Sequence, residues 1–317
     1  MSAITMIRQF GEAVLAIALA PLFLGWIAQC RAWLQSRTAP PLMQPYRMLL
    51  KLFHKEVALA SDATPLFRIT PYVLFGSMVL AAAIIPSIAT DLPFARVADA
   101  IALIGIFATA RVFQSLAAMD IGTAFGSMGA RREMMVGFLA EPALLMVLFN
   151  GFLLSGSTAL PSLVEAYSSS LFSINPSLTF AGIAFVMVLL AENARIPIDN
   201  PSTHLELTMI HEAMVLEYSA RHLALIEWAS SLKLFNYACI GFALFLPWGI
   251  ATHGADGGWA LLLAAAALVA KLIVSGAALA LIESLSAKLR IFRAPEFLAT
   301  AFLLAVLGLL VHLLLGS

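Results

Sequence analysis

The chain has 317 residues, of which 62% are hydrophobic and only 11% are charged. Soluble domains carry about 25% charged residues, so this composition excludes an ordinary water-soluble globular domain. The 18 basic and 18 acidic residues balance, and no basic tract with interleaved aromatic residues indicates nucleic-acid binding. The apolar runs are long and continuous, which favours membrane helices over the alternating strands of a barrel.

Eight apolar stretches approach the ~20 residues that a helix needs to cross a bilayer. They lie at about 10–30, 70–90, 98–118, 135–156, 177–193, 234–252, 259–282 and 297–315. The first is too long for the apolar region of a signal peptide, so we interpret it as the first membrane helix. The sequence predicts an all-α, polytopic membrane protein with about eight transmembrane helices, in which residues 1–317 form a single integral membrane domain.

Most of the lysines and arginines fall in alternate loops, after the first, third, fifth and seventh predicted helices. Only Arg8 and Arg96 fall on the opposite side, while Lys271 lies within the seventh helix. The positive-inside rule places the basic loops in the cytoplasm and both termini on the non-cytoplasmic side. We therefore expect a multi-pass protein of a prokaryotic cytoplasmic (inner) membrane.

Residues 191–227 contain an unusual number of ionisable side chains. Pro197 and Pro201 break any continuous membrane helix there, and the pattern after them predicts a helix from about 201 to 230. Protonatable side chains on such a helix indicate one of two things. Either the helix is amphipathic and lies on the membrane with its acids in water, or its acids form part of an ion pathway.

Glu206 and Glu217 are eleven residues apart and share one face of that predicted helix. His204, His211 and His222 also share a face of that helix, by spacings of seven and eleven. A metal site built from His204 and His211 stays an open alternative. The zinc-protease pattern H-E-x-x-H fails, because Val215 replaces its second histidine.

Lys271 lies near the middle of the seventh predicted helix, and Glu283 follows it three turns later. A lone ammonium in lipid costs several kcal/mol, so we expect either a structural ion pair or a role in proton movement. Cys30 and Cys239 are far apart and lack a C-x-x-C pattern, so the chain cannot bind an iron–sulfur cluster with its own thiols. We interpret both as small buried side chains.

Four groups of residues, in chain order, carry a family resemblance. They are Arg37, Pro40, Gln44, Tyr46, Arg47 and Lys51; Asp120, Gly122, residues 129–133, Glu141 and Pro142; Glu192, Arg195, Pro197, Asp199, Glu206 and residues 217–219; and Lys271, Glu283 and Arg290. With this pattern the chain resembles the subunit 1 family of respiratory complex I. It resembles more closely the corresponding membrane subunit of energy-converting nickel–iron hydrogenases, of the formate hydrogenlyase and hydrogenase-4 type.

The resemblance implies a membrane-anchor subunit with no catalytic residue, metal site or redox centre of its own. It would link a peripheral redox arm to antiporter-like subunits that move protons or sodium. Its partners would be hydrogenase-like large and small subunits and an iron–sulfur protein, which would hold iron–sulfur clusters and a nickel–iron centre. The residues implied in ion movement or coupling are Glu141, Glu192, Asp199, Glu206, Glu212, Glu217, Lys271 and Glu283. The residues implied at the redox-arm interface are Arg37, Gln44, Tyr46, Arg47, Lys51, Arg131, Arg132 and Arg195.

The sequence departs from the family pattern between Leu207 and Glu217, where an insertion holds His211 and Glu212. Two alternatives therefore stay open. The first is the same subunit in a quinone-linked, complex I-like dehydrogenase. The second is an independent ion or solute transporter, which often carries an inverted repeat with broken helices in both halves. Only one such break, at residues 197–201, is evident here.

Overall fold

The computed structural model describes residues 3–60, 62–94, 99–168, 176–195, 209–252, 258–286 and 293–315. Among these residues the chain is helical, with one isolated bridge between Ala89 and Ala251 and no strand. The helices are α1 (Ala3–Leu34), α2 (Gln44–Phe53), α3 (Pro65–Ile84), α4 (Ala100–Asp120), α5 (Ala124–Ser155), α6 (Leu160–Ser168), α7 (Pro176–Glu192), α8 (His211–Val215), α9 (Ala220–Phe245), α10 (Gly258–Leu285) and α11 (Ala294–Leu315). The prediction of an all-α membrane protein is confirmed.

Each of the eight predicted apolar stretches coincides with a helix. Within the described residues, six helices are long and apolar enough to cross a membrane, namely α1, α3, α4, α5, α10 and α11. α7 is apolar but has only 17 residues, and α9 is long but carries polar side chains such as Lys233 and Asn236. The count of eight spans and the side of the termini stay predictions.

α9 lies at the centre of the bundle, and most of its side chains are buried. It packs against α1, α2, α3, α6, α7 and α10, while α4 packs between α3 and α5, and α11 covers α5 and α7. Close contacts between these helices use small residues. A Cβ atom added to Gly241 of α9 would lie 2.8 Å from the Phe185 ring on α7, so glycine lets the two helices approach.

The connection after α1 folds back along that helix. The side-chain amide of Gln29 donates to the Pro40 carbonyl at 2.9 Å, and the Tyr46 hydroxyl donates to the Ala18 carbonyl. Pro40 therefore contacts α1 near its C-terminal end, and Tyr46, six residues later, contacts α1 nearer its N-terminal end. As a result, α2 lies beside the middle of α1 instead of beyond its end.

Polar side chains from two of the family motifs anchor the chain before α3. Asp120 Oδ2 accepts hydrogen bonds from the Thr64 hydroxyl at 2.6 Å and from the Thr64 N–H at 3.3 Å. The Ser219 hydroxyl donates to the Ala58 carbonyl at 2.6 Å and accepts from the Ala58 N–H at 2.9 Å. These two motif residues are therefore structural, because they replace hydrogen bonds that an irregular segment cannot form within itself.

The prediction of one helix over 201–230 is wrong for its described part. α8 ends at Val215, and α9 begins only at Ala220, whose φ is +48°. The turn between them places the Tyr218 ring 3.9 Å from the Phe67 ring, and the Tyr218 hydroxyl donates to the Phe67 carbonyl at 3.1 Å. This buried stacking contact overrides the local helical pattern. Glu217 therefore lies in a turn, and Glu206 is outside the described residues.

The buried carboxylate of Glu12, near the start of α1, holds the chain that follows α3. It accepts hydrogen bonds from the Ser87 hydroxyl at 2.8 Å and from the N–H groups of Ser87, Ile88 and Ala89 at 3.0–3.3 Å. Ala89 forms the isolated bridge to Ala251, just after α9. Glu12 thus satisfies buried backbone donors that no helix or strand satisfies.

Replacing Glu12 with glutamine is expected to lower the free energy of unfolding by about 1–2 kcal/mol. The amide has a single oxygen acceptor and turns an NH₂ group towards backbone N–H donors, so at least one buried donor loses its partner. Thermal unfolding of the detergent-purified protein measures the loss. Glu296→Gln, at an exposed position of α11, is the matched control, and equal melting temperatures for the two variants would contradict this role.

Candidate functional site

A cavity of about 730 Å³ lies between α1, α3, α4, α5, α7, α8, α9 and α10. Part of its wall is apolar and part is charged, with acidic and basic side chains in equal number. The charged residues are Arg31, Arg37, Arg111, Glu133, Glu192, Arg195, Glu212, Glu227, Lys233 and Glu283. Ionisable groups are expensive inside an apolar helical bundle and usually mark a functional site there.

Arg111, well inside α4, is the centre of a buried group of ion pairs on one wall. Its side chain is 6% exposed, and its Nε lies 3.4 Å from Glu133 Oε1. Its two terminal nitrogens contact Glu141 and Glu192. Since Glu133 and Glu141 lie on α5 and Glu192 ends α7, one guanidinium joins three helices.

Two further side chains extend this group. Lys233 Nζ, from α9, lies 3.0 Å from Glu192 Oε2, and His211 Nε2, from α8, lies 3.2 Å from Glu133 Oε2. We call the six residues the Arg111 cluster. They are Arg111, Glu133, Glu141, Glu192, Lys233 and His211.

Gly137 provides the space that the Arg111 side chain occupies. It lies one helical turn from Glu133 and one from Glu141, so all three positions share a face of α5. A Cβ atom at position 137 would lie 2.7 Å from Arg111 Cδ and 2.8 Å from Arg111 Cζ, which is too close for carbon atoms. The guanidinium therefore lies against bare backbone between the two carboxylates.

A second ion-pair group lies at the cavity wall where α1 and α10 meet. Glu283 Oε1 accepts a hydrogen bond from Arg195 Nη1 at 3.1 Å, and Glu283 Oε2 lies 3.6 Å from Arg31 Nη1. Burial lowers the pKa of the Arg195 guanidinium, and the Glu283 carboxylate partly offsets this. The Glu283 carboxylate is buried, whereas the Arg31 side chain is 43% exposed.

The end of α7 directs consecutive residues 192–195 to the cavity. The Arg195 N–H donates to the Leu190 carbonyl at 2.9 Å, which is the closing bond of a Schellman motif. Ala194 has a φ of +52°, in the left-handed region that favours glycine. This strained turn lies between Glu192 and Arg195, and it lets one helix end serve both ion-pair groups.

Comparison with known protein families gives one match over almost the whole chain. The family described as NADH dehydrogenase matches residues 10–314. The chain belongs to this family. Formate hydrogenlyase subunit 4 of Escherichia coli K12 is 32% identical over 298 residues, which cover 94% of this chain and 95% of that protein. Hydrogenase-4 component C of the same organism is 35% identical over 242 residues, covering 75% of this chain and 74% of that protein. The resemblance inferred from the sequence is confirmed.

The fold of this NADH dehydrogenase-family chain also matches a solved structure. A chain of the membrane-bound sulfane sulfur reductase, an archaeal respiratory membrane complex, aligns with a TM-score of 0.83 at 20% sequence identity. The alignment covers 96% of this chain and 98% of that one. This likeness supports the fold.

The structure brings together half of the residues predicted in ion movement. Glu192, Glu212 and Glu283 line the cavity, and Glu141 joins them through Arg111. Asp199 and Glu206, like His204 of the predicted metal alternative, lie outside the described residues. Among the described residues, no group of His, Cys, Asp and Glu side chains is arranged to hold a metal ion.

Two predicted residues lie apart from the cavity. Glu217 is exposed. Lys271 Nζ donates to the Leu246 carbonyl at 2.6 Å and lies 5.8 Å from the centre of the Phe242 ring. An ammonium at the last carbonyls of α9 is a favourable cap. In the part of the chain that the structure describes, the ion pair considered for Lys271 is not seen.

The residues predicted at the redox-arm interface fall into three places. Arg37 and Arg195 line the cavity. Arg131 is exposed near the start of α5, and Arg132 Nη1 donates to the Met209 carbonyl at 2.9 Å. The residues Gln44, Tyr46, Arg47 and Lys51 lie on α2.

The centre of the charged wall is missing from the predicted site. From the sequence, Arg111 and Lys233 count only among the basic residues that indicate the cytoplasmic side. Both lie inside helices, where a basic group needs a polar partner such as a carboxylate or a backbone carbonyl. That requirement was a readable signal, but the partner residues come from other helices and only the fold identifies them.

Proposed function

We propose that the chain is the membrane-anchor subunit of a multisubunit hydrogenase-type oxidoreductase, of the formate hydrogenlyase or hydrogenase-4 kind. In this role it links a peripheral redox arm to antiporter-like subunits that move protons or sodium. Hydrogenase-like large and small subunits and an iron–sulfur protein hold the iron–sulfur clusters and the nickel–iron centre. The names of the two Escherichia coli relatives support this proposal.

One observation carries the proposal, the unbroken series of charged contacts from the cavity to a partly exposed carboxylate outside its lining. Glu133 and Glu192 line the cavity, and both contact Arg111. Arg111 also contacts Glu141, whose side chain is 36% exposed and does not line the cavity. A partly exposed carboxylate on a membrane helix calls for a polar partner, and an antiporter-like subunit supplies one.

The electrostatic interaction between these charges is strong enough to couple electron transfer to proton binding. At an effective dielectric constant of about 20, two unit charges about 4 Å apart interact by about 4 kcal/mol. A contact of that size changes the proton affinity of a carboxylate about a thousandfold. A charge that electron transfer creates beside the cavity therefore alters which carboxylate of the Arg111 cluster binds a proton, without a large movement of helices.

The remaining assignments follow from the same proposal. Residues 1–317 form a single membrane domain in a prokaryotic cytoplasmic membrane, with the basic loops in the cytoplasm and both termini outside. The ion pathway comprises the cavity and cluster carboxylates, together with four further residues that the family resemblance implies, Asp199, Glu206, Glu217 and Lys271. The redox arm docks on basic and polar residues at the cavity and on the neighbouring surface. These residues are Arg37, Gln44, Tyr46, Arg47, Lys51, Arg131, Arg132 and Arg195.

Glu192→Gln tests the proposal in the assembled complex in membrane vesicles. We expect co-purification with a large hydrogenase subunit and an iron–sulfur protein. We also expect redox turnover to be retained, with coupled ion movement lowered about 100-fold or more, because the neutral amide removes the charge that interacts with both Arg111 and Lys233. Glu296→Gln is the control. Normal coupled movement in assembled Glu192→Gln, or full activity of the chain alone, would overturn the proposal.

A quinone-linked, complex I-like dehydrogenase is the second candidate, and the apolar part of the cavity favours it. Leu24, Leu74, Met78 and Phe107 line that part. Pockets of about 300–1,000 Å³ with mostly apolar walls and a few polar groups are typical of small-molecule sites. Quinone reduction by the purified complex would favour this candidate, whereas a partner with two nickel-binding C-x-x-C motifs would favour the hydrogenase.

A further inference from the structure

We infer that His211 and Glu133 form a proton-binding site on the cavity wall, and that Arg111 couples this site to Glu141. The inference rests on the proposed function and adds to it a site that the predicted set does not contain. His211 belongs to the insertion by which the sequence departs from the family pattern. Glu133 belongs to the family motif at residues 129–133, whereas its histidine partner comes from the insertion.

The two oxygens of the Glu133 carboxylate face different partners, Arg111 and His211. Glu133 is buried, with Oε1 facing the Arg111 Nε at 3.4 Å and Oε2 facing the His211 Nε2 at 3.2 Å. The His211 side chain is 20% exposed and lines the cavity. Both ring nitrogens and the Glu133 carboxylate oxygen that faces them are buried, so a proton reaches the pair when the partly exposed ring turns towards the cavity.

The charges of the Arg111 cluster favour the binding of a proton. Glu133, Glu141 and Glu192 bring three negative charges, whereas Arg111 and Lys233 bring two positive charges. Counted over the described residues, the cluster keeps one excess negative charge unless it binds a proton. The excess charge comes with the partly exposed Glu141, and a nearby negative charge favours a protonated imidazole. Histidine is the side chain whose ordinary pKa, about 6.5, suits exchange near neutral pH.

Other charged groups come from α4, α5 and α8 and from the helices that share the cavity wall with the pair. The negative groups favour a proton on the imidazole, while the positive groups favour an ionised Glu133. The groups are Arg111 from α4, Arg132 and Glu141 from α5, Glu192 from α7, Glu212 from α8, and Glu227 and Lys233 from α9.

The two ends of the cluster then bind protons alternately. A proton that the His211–Glu133 pair takes from water adds a positive charge to the cluster. This charge disfavours the binding of another proton at Glu141, on the other side of Arg111. Loss of that proton has the opposite effect. The step is a proton transfer between water and an imidazole nitrogen or carboxylate oxygen, and no electron moves in it.

Infrared difference spectra of the assembled complex, recorded between acidic and neutral pH with isotope-labelled histidine, test the site. We expect His211→Gln to lose one pH-dependent imidazole signal and the carboxylate signal that changes with it. His54→Gln is the matched control, since His54 is exposed next to α2, and it is expected to keep the coupled pair of signals. Equal signals and equal proton uptake in wild type and His211→Gln would overturn the inference.

Glu133→Asp provides a second test that keeps the charge and the pairing partner. The shorter side chain lengthens the distance to the imidazole, so the midpoint of the imidazole signal is expected at lower pH, with the number of bound protons unchanged. An unshifted midpoint counts against the pair even if His211→Gln fails to assemble.

The outcomes also separate this inference from the proposed function. If Glu192→Gln abolishes coupling while His211→Gln takes up protons normally, the inference fails and the proposed function stands. If His211→Gln loses the proton but Glu192→Gln couples normally, the site is real and the proposed function fails.

Discussion

Arg111→Met is expected to lower the free energy of unfolding by about 3–5 kcal/mol, the largest loss of any replacement considered for this protein. Methionine fills much of the space but leaves Glu133 and Glu192 buried without the guanidinium that contacts both. Lys233 still faces Glu192, so the deficit falls mainly on Glu133. Either these carboxylates take up protons or the contacts between α4, α5 and α7 open.

Thermal unfolding of the detergent-purified complex and the yield of assembled complex measure this loss. Arg111→Lys keeps the charge but offers one compact ammonium in place of a planar fork, so an intermediate loss is expected. Arg221→Met removes an exposed arginine at the start of α9 and is the control. A melting temperature of Arg111→Met equal to that of Arg221→Met would show that the cluster is not holding the helices together.

Hydropathy predicted the membrane class and the positions of the helices well, because a run of apolar residues is a local property of the chain. Hydropathy underestimates how far α9 extends towards its N-terminus, because Lys233 and Asn236 lie inside this buried helix. Their cost is met by tertiary contacts, with Glu192 for Lys233 and with the Met78 carbonyl for Asn236. A sequence window cannot contain such partners.

The family motifs identified important residues without separating their roles. Glu192 and Arg195 from one motif line the cavity. Asp120 and Ser219 from others instead anchor the chain before α3. A buried hydrogen bond to irregular backbone and a buried charge both demand one particular side chain, so the sequence pattern looks the same in both cases.

The cluster itself was beyond prediction, because its six side chains come from α4, α5, α7, α8 and α9. Only Glu133 and Glu141 are related by a local spacing, two helical turns on α5. The residue midway between them is Gly137, and its role becomes visible only when the Arg111 side chain is seen to occupy the space beside it.

Gly137→Ala is expected to lower the free energy of unfolding by about 3 kcal/mol and to lower coupled ion movement in the assembled complex. The added methyl group overlaps the Arg111 side chain. The guanidinium cannot give way easily, because it is held by carboxylates on two helices. Unlike Arg111→Met, this change keeps every charge of the cluster, so a functional loss would show that the position of the guanidinium matters beyond its charge.

Gly105→Ala supplies the matched control, because it adds the same methyl group to α4, where a Cβ atom would have no neighbour within 4 Å. Alanine has the higher helix propensity, so this variant is expected to be unchanged or more stable by about 0.5–1 kcal/mol. The difference between the two variants then isolates the contact with Arg111 from the general effect of glycine in a helix. Equal stability and equal coupling in both would mean that the guanidinium can leave its three carboxylates without cost, and the electrostatic account of coupling would fail with it.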